Sequence, residues 1–246
     1  MYTKIIKLSK EGKFPKEISK ILGIKYHTVL KIFKDNNLQL QGSGASYKKK
    51  VTYNPFLKEE GNYWAGFLAA DGCLSKKNYS IYLRIKDLDH IEKYKIFINS
   101  DLKIYYNKNK ANSIMGCITF RSKENWDYLN SIGITPKKSL TFQFKNELNW
   151  DFIRGYFDGD GSISKNEPKI TTGSNLFKEQ LIKFFKDNNL TYSVSIKGNT
   201  FDVYIRGNSR KDFFFLMYYR ENLTKLDRKY TAYRAALEKF KVKNIG

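Results

Sequence analysis

The chain has 246 residues, 41% hydrophobic and 16% aromatic, enough apolar surface for one large core or two smaller ones. Its formal net charge of +21, from 45 Lys and Arg against 24 Asp and Glu, fits a polyanionic partner such as nucleic acid. No apolar run is long enough for a membrane span, the first residues carry too much charge for a secretory signal, and two cysteines with two histidines exclude a disulfide framework and a Cys/His zinc site.

Residues 1–40 place Ile5, Ile6, Leu8, then Ile18, Ile21, Leu22, then Val29, Leu30, Ile32 and Phe33 at helical spacing. Pro15 suits the first position of a helix, Gly23 interrupts the pattern after Leu22, and a third helix starts near Tyr26. Ser19, Gly23 and Val29 fall where a helix-turn-helix wants a small, a turn and a buried β-branched residue. The second helix of such a pair enters the major groove, and here it would offer Lys25, Tyr26, His27, Thr28 and Lys31. A helical bundle that packs without touching DNA is the alternative. Residues 41–60 read as a basic linker, with Gly, Ser, Pro and a lysine run but no periodicity. The same residues suit a solvated tether or an arm along the phosphate backbone.

The rest of the chain contains an internal repeat. WAGFLAADGCLS in the first half parallels IRGYFDGDGSIS in the second. An alternating stretch follows each, at residues 80–86 and 168–173, then an amphipathic helix, two more strand-like runs and an aromatic-rich helix. Each half ends on a basic cluster, TPKKS and LDRKY. The order helix, two strands, helix, two strands, helix is thus given twice. The expected subdomains are residues 61–147 and 148–246, related by a pseudo-twofold axis.

Each unit opens on an apolar helix ending in Asp-Gly. Gly66 and Gly155 occupy matching positions inside these helices, 89 residues apart, as do Asp71 and Asp160. Glycine inside a helix costs about 1 kcal/mol against alanine. The same cost at both places suggests that the two helices pack with their backbones close, with Ala65, Ala69, Ala70 and Gly159 continuing the small surface. That packing would bring Asp71 and Asp160 together. Two bare carboxylates about 4 Å apart repel by roughly 4 kcal/mol at an effective dielectric near 20, and the helix C-terminal dipoles add to the penalty. Such a pair calls for a cation. With oxygen ligands alone, Mg²⁺ is the expected ion and Mn²⁺ its substitute. Divalent metal on two carboxylates suits phosphodiester cleavage. Asp-Gly as a plain helix terminator is the alternative, weakened by its duplication.

WAGFLAADG and IRGYFDGDG resemble the paired motifs of the LAGLIDADG homing endonucleases, in the monomeric two-motif form, over about residues 61–235. The resemblance implies that the motif helices form the subdomain interface and that Asp71 and Asp160 bind the metals at the scissile phosphates. It also implies a staggered cut across the minor groove at a long target. Ala69 stands where the second motif has Asp158, a departure at a position that is not a metal ligand in the family. The family often adds a basic residue near each metal, and the repeat sets Lys138 opposite Lys229.

Strand alternation gives each half a basic, tyrosine-bearing face: Tyr82, Arg84 and Lys86 in one, Lys169, Tyr204 and Arg206 in the other, with Asp202 also expected on the exposed side. The fold class expected is α+β: two pseudo-symmetric αββαββα subdomains forming a DNA-binding saddle, preceded by a small all-α helix-turn-helix domain. The expected function is site-specific cleavage of double-stranded DNA by a monomer. A non-cleaving RNA maturase or transcription regulator of the same fold is the alternative. The expected setting is inside a bacterial or phage-infected cell, or an organelle.

Overall fold

The computed structural model describes residues 2–11, 13, 15–36 and 54–242. They divide into two compact units, residues 1–50 and 51–246. The first unit holds α1 (Tyr2–Lys10), α2 (Pro15–Leu22) and α3 (Tyr26–Asp35). Ile5, Ile18, Val29 and Phe33, one or two from each helix, form its core. Gly23 turns the chain between α2 and α3 at φ +63°, a conformation that glycine adopts without a steric penalty. The Ser19 hydroxyl donates to Ile24 O at 2.8 Å and braces that turn.

The second unit begins earlier than the sequence pattern suggests. Asn54, Pro55 and Phe56 are buried, and Phe56 joins the core. The end of the expected 41–60 linker is therefore part of the folded unit, while residues 41–53 lie outside the described residues. The repeat then runs as α4 (Gly61–Asp71), β1 (Gly72–Ser75), β2 (Ser80–Ile85), α5 (Leu88–Phe97), β3 (Tyr105–Lys108), β4 (Ile114–Arg121) and α6 (Lys123–Ser131). Its second copy is α7 (Trp150–Asp160), β5 (Gly161–Ser164), β6 (Glu167–Thr172), α8 (Asn175–Asp187), β7 (Tyr192–Lys197), β8 (Thr200–Ile205) and α9 (Ser209–Met217). The two antiparallel sheets have the same strand order, β1-β2-β4-β3 and β5-β6-β8-β7. A further helix, α10 (Asp227–Val242), closes the second half. The sequence pattern shows only a basic cluster there.

Both sheets put one face on the helices and leave the other open. Ile81, Leu83 and Ile85 of β2 and Ile170, Val203 and Ile205 of β6 and β8 point into the core. Ser122, Asn149 and Ser174 cap α6, α7 and α8, each accepting a backbone N–H from the first turn. α4 is buried nearly all round, as a helix at the centre of one core shared by both halves must be. Among the described residues, no helix is long and apolar enough to cross a membrane.

Candidate active site

The motif helices meet backbone to backbone. A β-carbon at Gly66 would lie 2.1 Å from Phe152 O, and one at Gly155 would lie 1.9 Å from Tyr63 O. No side chain fits either place, so the paired glycines are what let α4 and α7 touch. Farther along, a β-carbon on Gly159 would lie 2.3 Å from Ala70 Cβ and 3.6 Å from Asp71 Cγ. The Asp71 carboxyl therefore sits beside the residue that precedes Asp160. Gly72 and Gly161 take ordinary negative φ values, −78° and −86°, and lead straight into a strand. The Asp-Gly ends are not left-handed helix terminators.

Two lysines complete the cluster. The Lys138 ammonium donates to Gly72 O at 2.5 Å, and that of Lys229 to Phe157 O at 2.6 Å and Gly159 O at 3.1 Å. Both lysines are buried, at 7% and 5% exposure, where an ordinary surface lysine would be solvated. Asp71 and Asp160 themselves stay open to solvent at the helix ends, yet protein surrounds them closely enough to act on their ionisation. Burial raises the Asp160 carboxyl to about 6, with Asp71 adding to the rise and Lys229 and Lys138 opposing it. Asp71 is also raised, by burial first, against the pull of Lys229 and Lys138. Desolvation thus outranks the mutual repulsion that the sequence pattern emphasises. Burial lowers Lys229 to about 8 and also lowers Lys138. A cavity of about 160 Å³ lies against Asp160, with Lys138 and Tyr156 in its wall. A larger one, about 330 Å³, opens at the opposite, N-terminal ends of α4 and α7, by Glu60 and Asp151. It lies about 15 Å from the carboxylate pair at 1.5 Å per residue.

The donor set fits a hard cation. Among the described residues, no group of three or more His, Cys, Asp and Glu gathers as a closed cage. Two carboxylates with the remaining positions left to water and phosphate oxygens are what Mg²⁺ accepts.

Asp158, the extra acid of the second motif, has hydrogen-bond partners of its own, although its charge also acts on Lys229. It is buried, accepting from Tyr63 Oη and from Leu226 N on one oxygen, each at 2.7 Å. Arg154, one turn earlier and also buried, donates to Thr224 O at 3.0 Å and Met217 O at 3.1 Å, and pairs with Asp151 at 2.7 Å. Both side chains fasten the segment that leads into α10 and so deliver Lys229. Nothing in the motif resemblance points to this network. Its signal in the sequence is Asp151, Arg154 and Asp158 at helical spacing within a largely apolar helix.

His90 completes the network and fixes its protons. Tyr63 has a single hydroxyl proton, and it goes to Asp158. His90 Nε2, 3.0 Å from Tyr63 Oη, must then be the protonated ring nitrogen. Nδ1 is left buried without a partner. Burial and then Lys93 lower the His90 pKa to about 3, so the ring stays neutral in the fold and charges in the unfolded chain below about 6.5. Stability is therefore lost as pH falls from about 6.5 towards 3. Asp158, raised by burial to about 6, acts in the opposite sense, adding stability that is lost as pH rises through 6. Relative to the parent, His90→Gln is expected to gain about 1.4 kcal/mol of unfolding free energy for each pH unit below 6.5. Urea unfolding across that range measures the difference, and a pH-independent one would mean that the ring protonates inside the fold.

On the open face of the first sheet, β2 pairs Tyr82 with Cys73 and Thr119, and Arg84 with Cys117. Arg84 Nη2 donates to Asn107 Oδ1 at 3.0 Å. Lys86 lies one residue past β2 and is exposed. On the second sheet, Lys169 lies opposite Tyr204, with Arg206 just beyond β8. Asp202 corrects the simple alternation: it is on the open face yet only 2% exposed, because its own partners cover it. In the first unit, Lys25, Tyr26, His27, Thr28 and Lys31 are all exposed at the start of α3.

Two αββαββα halves joined through a glycine-paired helix couple define the LAGLIDADG fold. The comparisons agree. Residues 147–229 match the family model described as a LAGLIDADG-like domain. The fold is shared with the homing endonuclease I-WcaI bound to its DNA recognition sequence, at a TM-score of 0.53 and 18% identity, over 74% of this chain and 90% of that one. It is shared too with I-DmoI in complex with DNA and calcium, at a TM-score of 0.51 and 14% identity, over 76% and 99%. An uncharacterised protein of Methanocaldococcus jannaschii is 27% identical over 153 residues, 56% of each chain. The replication factor C small subunit of that organism is 26% identical over 140 residues, 53% of this chain and 7% of that one. The chain thus spans about half the length of the first relative and a small part of the second. It is a LAGLIDADG-fold protein.

Proposed function

We propose that the chain is a site-specific double-stranded DNA endonuclease that works as a pseudo-symmetric monomer inside the cell. One observation carries the reading: the glycine contact sets Asp71 beside the end of α7, where Asp160 and two buried lysines gather. A binding protein gains nothing from concentrating partly desolvated carboxylates at the middle of a +21 chain. The fold shared with DNA-bound homing endonucleases supports the same reading.

Asp71 and Asp160 would hold Mg²⁺, with Mn²⁺ as its substitute. When bound, a divalent ion supplies Lewis acidity and activates water at neutral pH. Lys138 and Lys229 face the same place and stabilise negative charge that develops on the phosphate and the leaving oxygen. With its pKa near 8, Lys229 can also exchange a proton close to neutrality. The open sheet faces, with Tyr82, Arg84 and Lys86 on one side and Lys169, Tyr204 and Arg206 on the other, contact the duplex. The exposed start of α3 extends the footprint as the reading helix of a helix-turn-helix.

The test is a randomised duplex library incubated with the protein in Mg²⁺ or in EDTA, with the ends sequenced. Mg²⁺-dependent double-strand cuts at one sequence, with a constant stagger, are expected. Bound but intact duplex under every divalent ion would instead assign a non-cleaving binder.

A further inference from the structure

We propose that Asp202 is a specificity-determining residue: it holds Lys169 and Lys197 as fixed donors towards base edges and away from the phosphates. The inference rests on the DNA-binding reading above. Asp202 stands in the middle of the open face of the second sheet. Its carboxylate takes Thr171 Oγ1 at 2.6 Å, Lys169 Nζ at 2.7 Å, Lys197 Nζ at 3.2 Å and Tyr204 Oη at 3.4 Å. The third cation of that face is tied down as well. Arg206 pairs with Glu167 at 2.5 Å, donates to Ser193 Oγ at 2.7 Å and lies over the Tyr204 ring at 4.4 Å.

The first sheet is built differently. None of its four strands contains Asp or Glu, and Arg84 bonds to the neutral Asn107. The two halves therefore offer unlike surfaces to one duplex.

A lysine on a groove-facing strand is a point charge on a flexible stem, and the nearest phosphate captures it. Phosphate contacts add affinity without sequence information. An ammonium already bonded to a carboxylate has little charge to give a phosphate, but it keeps N–H donors in a set direction. Such donors match the acceptor atoms of guanine and thymine in the major groove. A carboxylate at the bottom of the network also repels any phosphate that approaches it.

The test uses the full chain and a duplex library with a randomised core, selected in EDTA so that bound duplexes are recovered uncut. The parent is expected to enrich one asymmetric motif. Asp202→Asn is expected to lose sequence preference over one contiguous block in one half-site and to keep it in the other. Its affinity for a single random-sequence duplex should rise several-fold, with a salt dependence steeper by about one to two in log–log slope, as the freed lysines reach phosphates. Lys169→Met should lose the same block while binding random duplex more weakly, and it carries the test if Asp202→Asn does not fold. An unchanged motif in both variants, or a loss spread evenly over both half-sites, would overturn the proposal. A parent that enriches no motif and binds no duplex would overturn the DNA reading itself.

Discussion

Alanine in place of Gly155 is expected to lower the unfolding free energy by about 3 kcal/mol, against the direction that helix propensity alone would give. In an ordinary helix the same change would stabilise by about 1 kcal/mol. Here the new β-carbon would lie 1.9 Å from Tyr63 O and 2.9 Å from Phe67 N, both rigid backbone atoms of the partner helix. No rotamer change relieves such an overlap, so α4 and α7 must separate. Gly66→Ala meets Phe152 O at 2.1 Å and is expected to behave alike. Separation also moves Asp71 away from Asp160, and misplacement by about 1 Å can cost about a hundredfold in rate. Urea unfolding and a cleavage assay on one preparation check both effects. A Gly155→Ala protein as stable as the parent would show that the helices are not in backbone contact.

Much of this architecture is legible before any coordinates. The 89-residue offset gives the doubled order of elements, and the paired glycines imply the close helix contact, because glycine inside a helix needs a reason. Asp71 and Asp160 follow from the same offset. The burial of Lys138 and Lys229 does not follow, since lysine in a basic cluster is ordinarily solvated and helix α10 has no strong periodic signal. The Tyr63–His90–Asp158 chain is hidden for another reason. Its members come from three helices of both halves, and Ala69 in the first copy leaves Asp158 without the counterpart that would have suggested a shared role. Asp202 reads as exposed by alternation, and alternation is right about the face. What covers it is the pair Lys169 and Lys197, a contact set by register between strands and invisible along one of them.

The carboxylate pair is the centre of the functional reading. Asparagine is nearly isosteric with aspartate, keeps a carbonyl oxygen and removes the anion. At Asp160 it would also relieve a carboxyl that burial and Asp71 have raised to about 6, so the variant is expected to fold at least as well as the parent. Binding to DNA should hold or tighten slightly, because a negative charge leaves a site that faces phosphate. Cleavage should fall by about 10²–10³-fold or more, because the remaining ligand set no longer neutralises a divalent ion. The direct measurement is strand-resolved cutting, in Mg²⁺, of the duplex recovered by the parent, comparing the parent with Asp71→Asn and Asp160→Asn at equal occupancy. Bound but uncut duplex in the double variant, with each single variant impaired, is the predicted result. Cutting by the double variant at the parental rate would contradict the assignment of Asp71 and Asp160 as the site of chemistry.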